Sequence, residues 1–185
     1  MNILLLGYTG SGREEVAKSI SYRYGMRLLN KNNLTSAYKE IFYGNPSSDI
    51  EVQKGKNILL TISEVYRGDH LLLDGLPETI KEASLLNRVL KSFDRKIDYV
   101  FFFLSKLEET VSYLVNGNPD EREIIRNKLL EEKKKILDVG KFFLKYAFES
   151  YLLKRNRDHL SGLEGKVLDV LEHREFPIEH SQLPS

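Results

Sequence analysis

The 185-residue chain reads as an α/β protein with a parallel sheet covered by helices on its faces. Short apolar runs, Asn2-Ile-Leu-Leu-Leu6, Leu71-Leu-Leu73 and Tyr99-Val-Phe-Phe-Phe-Leu104, have the continuous hydrophobicity of strands buried on both faces. Stretches of helical period lie between them, and strands alternating with helices make a parallel sheet. Hydrophobic residues form 41% of the chain and 28 Lys and Arg stand against 27 Asp and Glu, the composition of a folded globule. This length suffices for one core, so a single domain is expected over residues 1–185.

The first strand ends at Gly7 and leads into a helix whose apolar face carries Val16, Ala17, Ile20 and Tyr24. Arg27-Leu-Leu29 reads as a short strand. Gly44-Asn-Pro-Ser-Ser48 splits the next segment into two helical pieces, ending near Phe42 and restarting near Glu51. After the strand at Leu71 comes a helix marked by Ile80, Ala83, Leu86 and Leu90. A long helix is signalled at Asn118, which can cap, with Pro119 at the first helical position and Glu121 three residues after the cap. It is expected to run to about Arg157 with a break near Gly140. Within it Lys133-Lys-Lys135, after Glu131-Glu132, reads as a solvated face. Lys166-Val-Leu-Asp-Val170 is a weaker strand candidate, and residues 172–185 read as a flexible tail.

A net charge of +1 removes any electrostatic case for a nucleic-acid or membrane-surface partner. The absence of cysteine removes disulfides, thiolate zinc and cysteine catalysis. No stretch approaches the ~20 apolar residues of a membrane span, and Ile3 to Leu6 is too short for a signal peptide, so a cytoplasmic, reducing compartment is expected. His70, His159, His173 and His180 have no ligand spacing. Phe101-Phe-Phe103 reads as core. Phe142, Phe143, Tyr146, Phe148 and Tyr151 crowd more than one helix face, which predicts packing on the sheet for some and a protein interface for others.

The segment that carries chemistry is Gly7-Tyr-Thr-Gly-Ser-Gly-Arg-Glu14. It follows a buried strand and opens a helix, the context in which backbone N–H groups and a helix N-terminus cradle a phosphate. Gly7, Thr9, Gly10, Ser11 and Gly12 supply the backbone. Arg13 and Glu14 stand where a cradle of this type carries Lys for the terminal phosphates and Ser or Thr for Mg²⁺. The alternative is a glycine-rich turn without a ligand.

Leu71-Leu-Leu-Asp-Gly-Leu-Pro-Glu-Thr79, followed by Ile80-Lys-Glu-Ala83, resembles the adenylate kinase signature F-L-L-D-G-F-P-R-T with x-x-Q-A after it. Met1–Tyr24 resembles the start of the same enzymes, and Ile97-Asp-Tyr-Val100 their V-D-Y-V strand before the lid. Glu123-Ile-Ile-Arg-Asn-Lys-Leu129 is similar to the helix after the lid. The matches come in the family's order over roughly Met1 to Tyr146. The resemblance implies a three-layer α/β/α P-loop kinase with a reduced helical NMP-binding insertion at 30–66. Its lid would be cut to a link at 115–119.

Position by position, the resemblance puts Arg13 at the loop Lys, Glu14 at the Thr or Ser, Lys31 and Ser36 at the Thr and Arg of the AMP site, Glu78 at the Arg after the D-G-F-P turn, and Glu82 at the adenine-reading Gln. The lid arginines align near Tyr113, Gly117 and Asn118. Asp74 and Arg126 are retained. Arg13, Asp74 and Arg126 are thus the candidate catalytic residues, and Glu14 and Asp74 the candidate Mg²⁺ ligands. Lys31 joins the loop as a nucleotide contact. A single lost Arg of this kind can cost about 10³–10⁵ in rate, so the resemblance implies a degenerate member that binds ATP, ADP or AMP weakly. A structural or regulatory pseudoenzyme in a larger assembly with a protein partner is expected, the alternative being a low-rate ATP:AMP phosphotransferase.

Overall fold

The computed structural model describes residues 1–32, 70–115, 119–146, 149–154 and 160–173. The two helical pieces expected either side of Gly44–Ser48, the rest of the 30–66 insertion beyond Asn32, Ser36, Gly117 and Asn118 lie outside them.

Five strands, β1 (Asn2–Gly7), β2 (Arg27–Asn30), β3 (Leu71–Asp74), β4 (Tyr99–Leu104) and β5 (Glu149–Lys154), form one sheet in the order β2-β3-β1-β4-β5. Every pairing is parallel, with Leu5 opposite both Asp74 and Phe101. Five α-helices accompany it among the described residues: α1 (Arg13–Tyr24), α2 (Ile80–Ser92), α3 (Leu107–Leu114), α4 (Arg122–Phe143) and α5 (Leu160–His173).

Alternation along each strand divides the core into two layers. Leu4, Leu6, Leu71, Leu73, Val100 and Phe102 face one side, where Leu86 and Leu90 of α2 and Val139 and Phe143 of α4 cover them. Ile3, Leu5, Leu72, Phe101 and Phe103 face the other, beneath Val16 and Ile20 of α1 and Leu163, Val167 and Val170 of α5. This is the three-layer α/β/α P-loop kinase fold. Gly140 lets α4 approach the sheet: a Cβ there would meet Phe102 Cζ at 2.8 Å and Cε1 closer still. A third cluster, Tyr8, Val111, Val115 and Leu129, packs under the loop that leaves β1.

The C-terminal third departs from the sequence reading. Helix α4 runs through Gly140 without a break and ends at Phe143 instead of near Arg157. Glu149–Lys154, expected as its continuation, is the edge strand β5, whose Tyr151 stacks on Phe101 at 5.4 Å between ring centroids. Lys166–Val170, expected as a strand, lies within α5, and that helix carries Glu172 and His173 as well. Helix α4 begins at Arg122, after a 3₁₀ turn over Pro119–Glu121.

Candidate functional site

The glycine-rich loop joins the carboxyl end of β1 to the first turn of α1, the edge at which open parallel sheets bind ligands. Gly10 and Gly12 have φ of +78° and +88°, a left-handed geometry that costs other residues about 1–2 kcal/mol. Gly12 is the N-cap of α1 and offers no side-chain acceptor to the orphan amides of the first turn. Those amides are what an anion would meet. The loop is braced from inside: Ser11 N–H donates to the Tyr8 carbonyl at 3.1 Å, and the Tyr8 hydroxyl donates to the Ser105 carbonyl. Ser11 Oγ is buried and points inward, 2.6 Å from where a Gly7 Cβ would sit.

Arg13 turns back into the protein. Its Nη1 donates to the Gly7 carbonyl at 2.5 Å, its Nε lies 2.5 Å from Asp74 Oδ1, and its Nη2 lies 3.5 Å from Glu14 Oε1. The guanidinium rests on Gly75, where a Cβ would meet Cζ at 2.7 Å and Nη2 at 2.8 Å. Asp74 ends β3 and is 6% exposed; Arg13 is 14% exposed. Burial pushes the Asp74 carboxyl above the usual aspartate range, Arg13 pulls it back, and Glu14 and Glu15 push it up again. Burial outweighs the ion pair. Glu14, by contrast, is mostly exposed.

Two further carboxylates engage the other candidate cations, Lys31 and Arg126. Lys31 Nζ donates to Glu78 Oε1 at 3.0 Å. On the other side, Arg126 Nε donates to Glu108 Oε1 at 2.9 Å and Arg122 Nη2 to Glu108 Oε2 at 3.1 Å, so one carboxylate of α3 holds two arginines of α4. These bonds, first from Arg122 and then from Arg126, hold the Glu108 carboxyl below the usual glutamate range.

The turn after β3 is also self-engaged. Thr79 caps α2 by accepting the Glu82 N–H at 3.2 Å, while Glu82 Oε2 accepts the Glu78 N–H at 2.7 Å. Glu82, 2% exposed, is thereby turned onto the chain's own backbone. At the loop's outer side Glu132 of α4 accepts the Thr9 N–H at 3.0 Å.

Arg13, Asp74, Glu14 and the loop glycines are thus brought together, Lys31 lies at the Glu78 side of the site, and Arg126 is tied to α3. Sequence reading missed Glu108, Gly75 and Glu132. The last was read as part of a solvated face, and nothing in its local pattern distinguishes it from Glu131.

A glycine loop between a central parallel strand and its helix, with an Asp at the end of the neighbouring strand, defines the P-loop class of α/β kinase folds. No model of a known protein family matches the chain. Adenylate kinase of Mycoplasma capricolum is 31% identical over 111 residues, which are 55% of this chain and 52% of that enzyme. Adenylate kinases of Mycolicibacterium vanbaalenii and Rhodococcus erythropolis are 27% and 28% identical over 143 and 145 residues, covering 77% and 78% of those enzymes. The match thus spans about half of the first relative's length and three quarters of the others'. These similarities, at modest identity, support a relationship to the adenylate kinases and other nucleoside-monophosphate kinases. That similarity supports a nucleotide-kinase-like function. No helix among the described residues is long and apolar enough to cross a membrane.

Proposed function

We propose that this chain binds the phosphates of an adenine nucleotide weakly at the Gly7–Glu14 loop and transfers phosphoryl groups between ATP and AMP slowly at most. One observation carries the reading: Arg13, Lys31 and Arg126, the three cations assigned to the site, each sit against a carboxylate of the chain itself. Phosphoryl transfer depends on neutralising charge at the phosphate oxygens. A cation already paired offers less of that, and each pair must open before it can serve a phosphate. Glu14, at the first turn of α1, adds repulsion.

Loop backbone and first-turn amides would make the main contacts to phosphate, Arg13 would add charge there only on leaving its partners Gly7, Asp74 and Glu14, and Lys31 would lie toward the acceptor side. A bound Mg²⁺ would supply charge neutralisation. The candidate ligands Glu14 and Asp74 both face Arg13, however, whose guanidinium takes up their charge. This arrangement does not fit a protein-held ion, and no step is routed through one.

A second reading, a nucleotide-binding pseudoenzyme with a structural or regulatory role in a larger assembly, is favoured by Tyr113 and Ile124. Both are large apolar side chains, 67% and 70% exposed, on α3 and α4. Calorimetric titration with ATP, ADP and AMP tests the common part of both readings. Binding weaker than micromolar is expected; submicromolar ATP affinity, or no binding of any of the three, would contradict it.

A further inference from the structure

We propose that Arg13 stands at Asp74 in the place of a divalent cation, so that this chain takes up nucleotide without Mg²⁺. The proposal rests on the nucleotide-binding reading above but concerns which cation neutralises the buried carboxylate. Asp74 Oδ1 has Arg13 Nε at 2.5 Å, and the same guanidinium is fixed from its far side by the Gly7 carbonyl, also at 2.5 Å. Glu14, the other carboxylate available to a metal, faces Nη2 of that group. The seat is shaped for a planar head. Gly75 has φ +67° and brings only hydrogen to the guanidinium, where a Cβ would approach Cζ to 2.7 Å.

The chemistry of the side chain explains why this works for Arg and not for Lys. A guanidinium presents donors on several edges of one rigid plane, so it can bond a carbonyl and a carboxylate at once. An ammonium on a flexible stem is a point charge that leaves the carboxylate open to a second cation. With Arg13 in its slot, a divalent ion reaching Asp74 must meet a fixed positive charge or displace it from the Gly7 carbonyl, Asp74 and Glu14. Arg13 is therefore a positioning and specificity residue: it sets the metal requirement of the site.

Two measurements on the full chain decide this. In the first, a fluorescent N-methylanthraniloyl ADP is titrated in excess EDTA and in excess Mg²⁺. Wild type is expected to give the same affinity within about twofold, whereas Arg13→Ala gains about tenfold or more from Mg²⁺. A tenfold Mg²⁺ gain in wild type overturns the proposal. In the second, Mn²⁺ alone is titrated and followed by electron spin resonance, so the result stands even if the nucleotide does not bind. Wild type should leave Mn²⁺ free, Arg13→Ala should bind it, and Arg13→Ala/Asp74→Asn should lose it again. Mn²⁺ bound by wild type and lost in Asp74→Asn, or no Mn²⁺ bound by Arg13→Ala, overturns the proposal. Arg13→Gln, which keeps polar atoms in the slot, replaces Arg13→Ala if circular dichroism shows the latter unfolded. Failure of ADP to bind under any condition counts against the nucleotide reading alone.

Discussion

The carboxylate of Glu132 accepts the Thr9 backbone N–H at 3.0 Å and lies 3.4 Å from the Thr9 hydroxyl, which ties the tip of the glycine loop to the middle of α4. The contact is exposed and joins residues far apart in sequence, so it restrains the loop without adding to the core. Removing it should loosen the tip. Glu132→Ala is expected to speed amide hydrogen exchange at Thr9 about fivefold, the equivalent of one hydrogen bond of about 1 kcal/mol, while exchange in β1 stays unchanged. Acceleration across β1 as well would mean that the latch supports the sheet.

Glu14 should weaken anion binding by charge alone. It is 59% exposed, so its repulsion of a phosphate at ~4 Å is nearer the value of about 1 kcal/mol in water than the larger figures for dry sites. Glu14→Ser is therefore expected to tighten ADP binding about fivefold at low salt, with the gain shrinking as salt rises. Titration calorimetry at two ionic strengths checks both parts.

The Glu108 clamp gives a pH dependence of known sign. Its carboxyl is held below the usual glutamate range by Arg122 and Arg126. A group with a depressed native pKa stabilises its arrangement above the unfolded value and loses that stabilisation as pH falls through the native one. Acidification below the ordinary glutamate range should release both arginines. The Nε–H resonance of Arg126 is expected to shift with that protonation and to show no such transition in Glu108→Gln.

Gly140→Ala sets two effects against each other. Alanine favours a helix by about 1 kcal/mol over glycine, but the added methyl would overlap the Phe102 ring, and overpacking typically costs about 1–3 kcal/mol. Phe102 is fully buried and cannot move aside cheaply. Net destabilisation by urea unfolding is expected; a more stable variant would show that α4 can shift on the sheet.

The parts legible in the sequence are those with one dominant local signal. Leu4, Leu72 and Phe102 lie in runs so apolar that only central strands accommodate them, and Val16, Ile20, Leu86 and Leu90 have the helical period that their burial requires. The edge strand was illegible because Phe142, Tyr146, Tyr151 and Leu152 continue a plausible helical spacing past the end of α4. Lys166–Val170 misled in the opposite sense, since Val167 and Val170 look like a strand until Leu163 supplies the helical stripe. In the site, the identities of Arg13, Asp74 and Glu14 were legible from the loop and from the D-G turn. Their pairing was not, because it depends on β3 bringing Gly75 beside the loop. Glu108 and Glu132 carry no local mark at all.

The most direct test of the central claim, that the chain's own carboxylates hold the candidate catalytic cations, is turnover in a coupled ADP-formation assay with ATP and AMP. Asp74→Ala serves as the control for contaminating enzyme. Turnover is expected at least about 10³-fold below the ordinary kinase range of roughly 1–100 s⁻¹. A wild-type rate near ~1 s⁻¹ that disappears in Asp74→Ala would contradict the account, because Arg13, Lys31 and Arg126 would then be leaving their carboxylates readily enough to serve the phosphates.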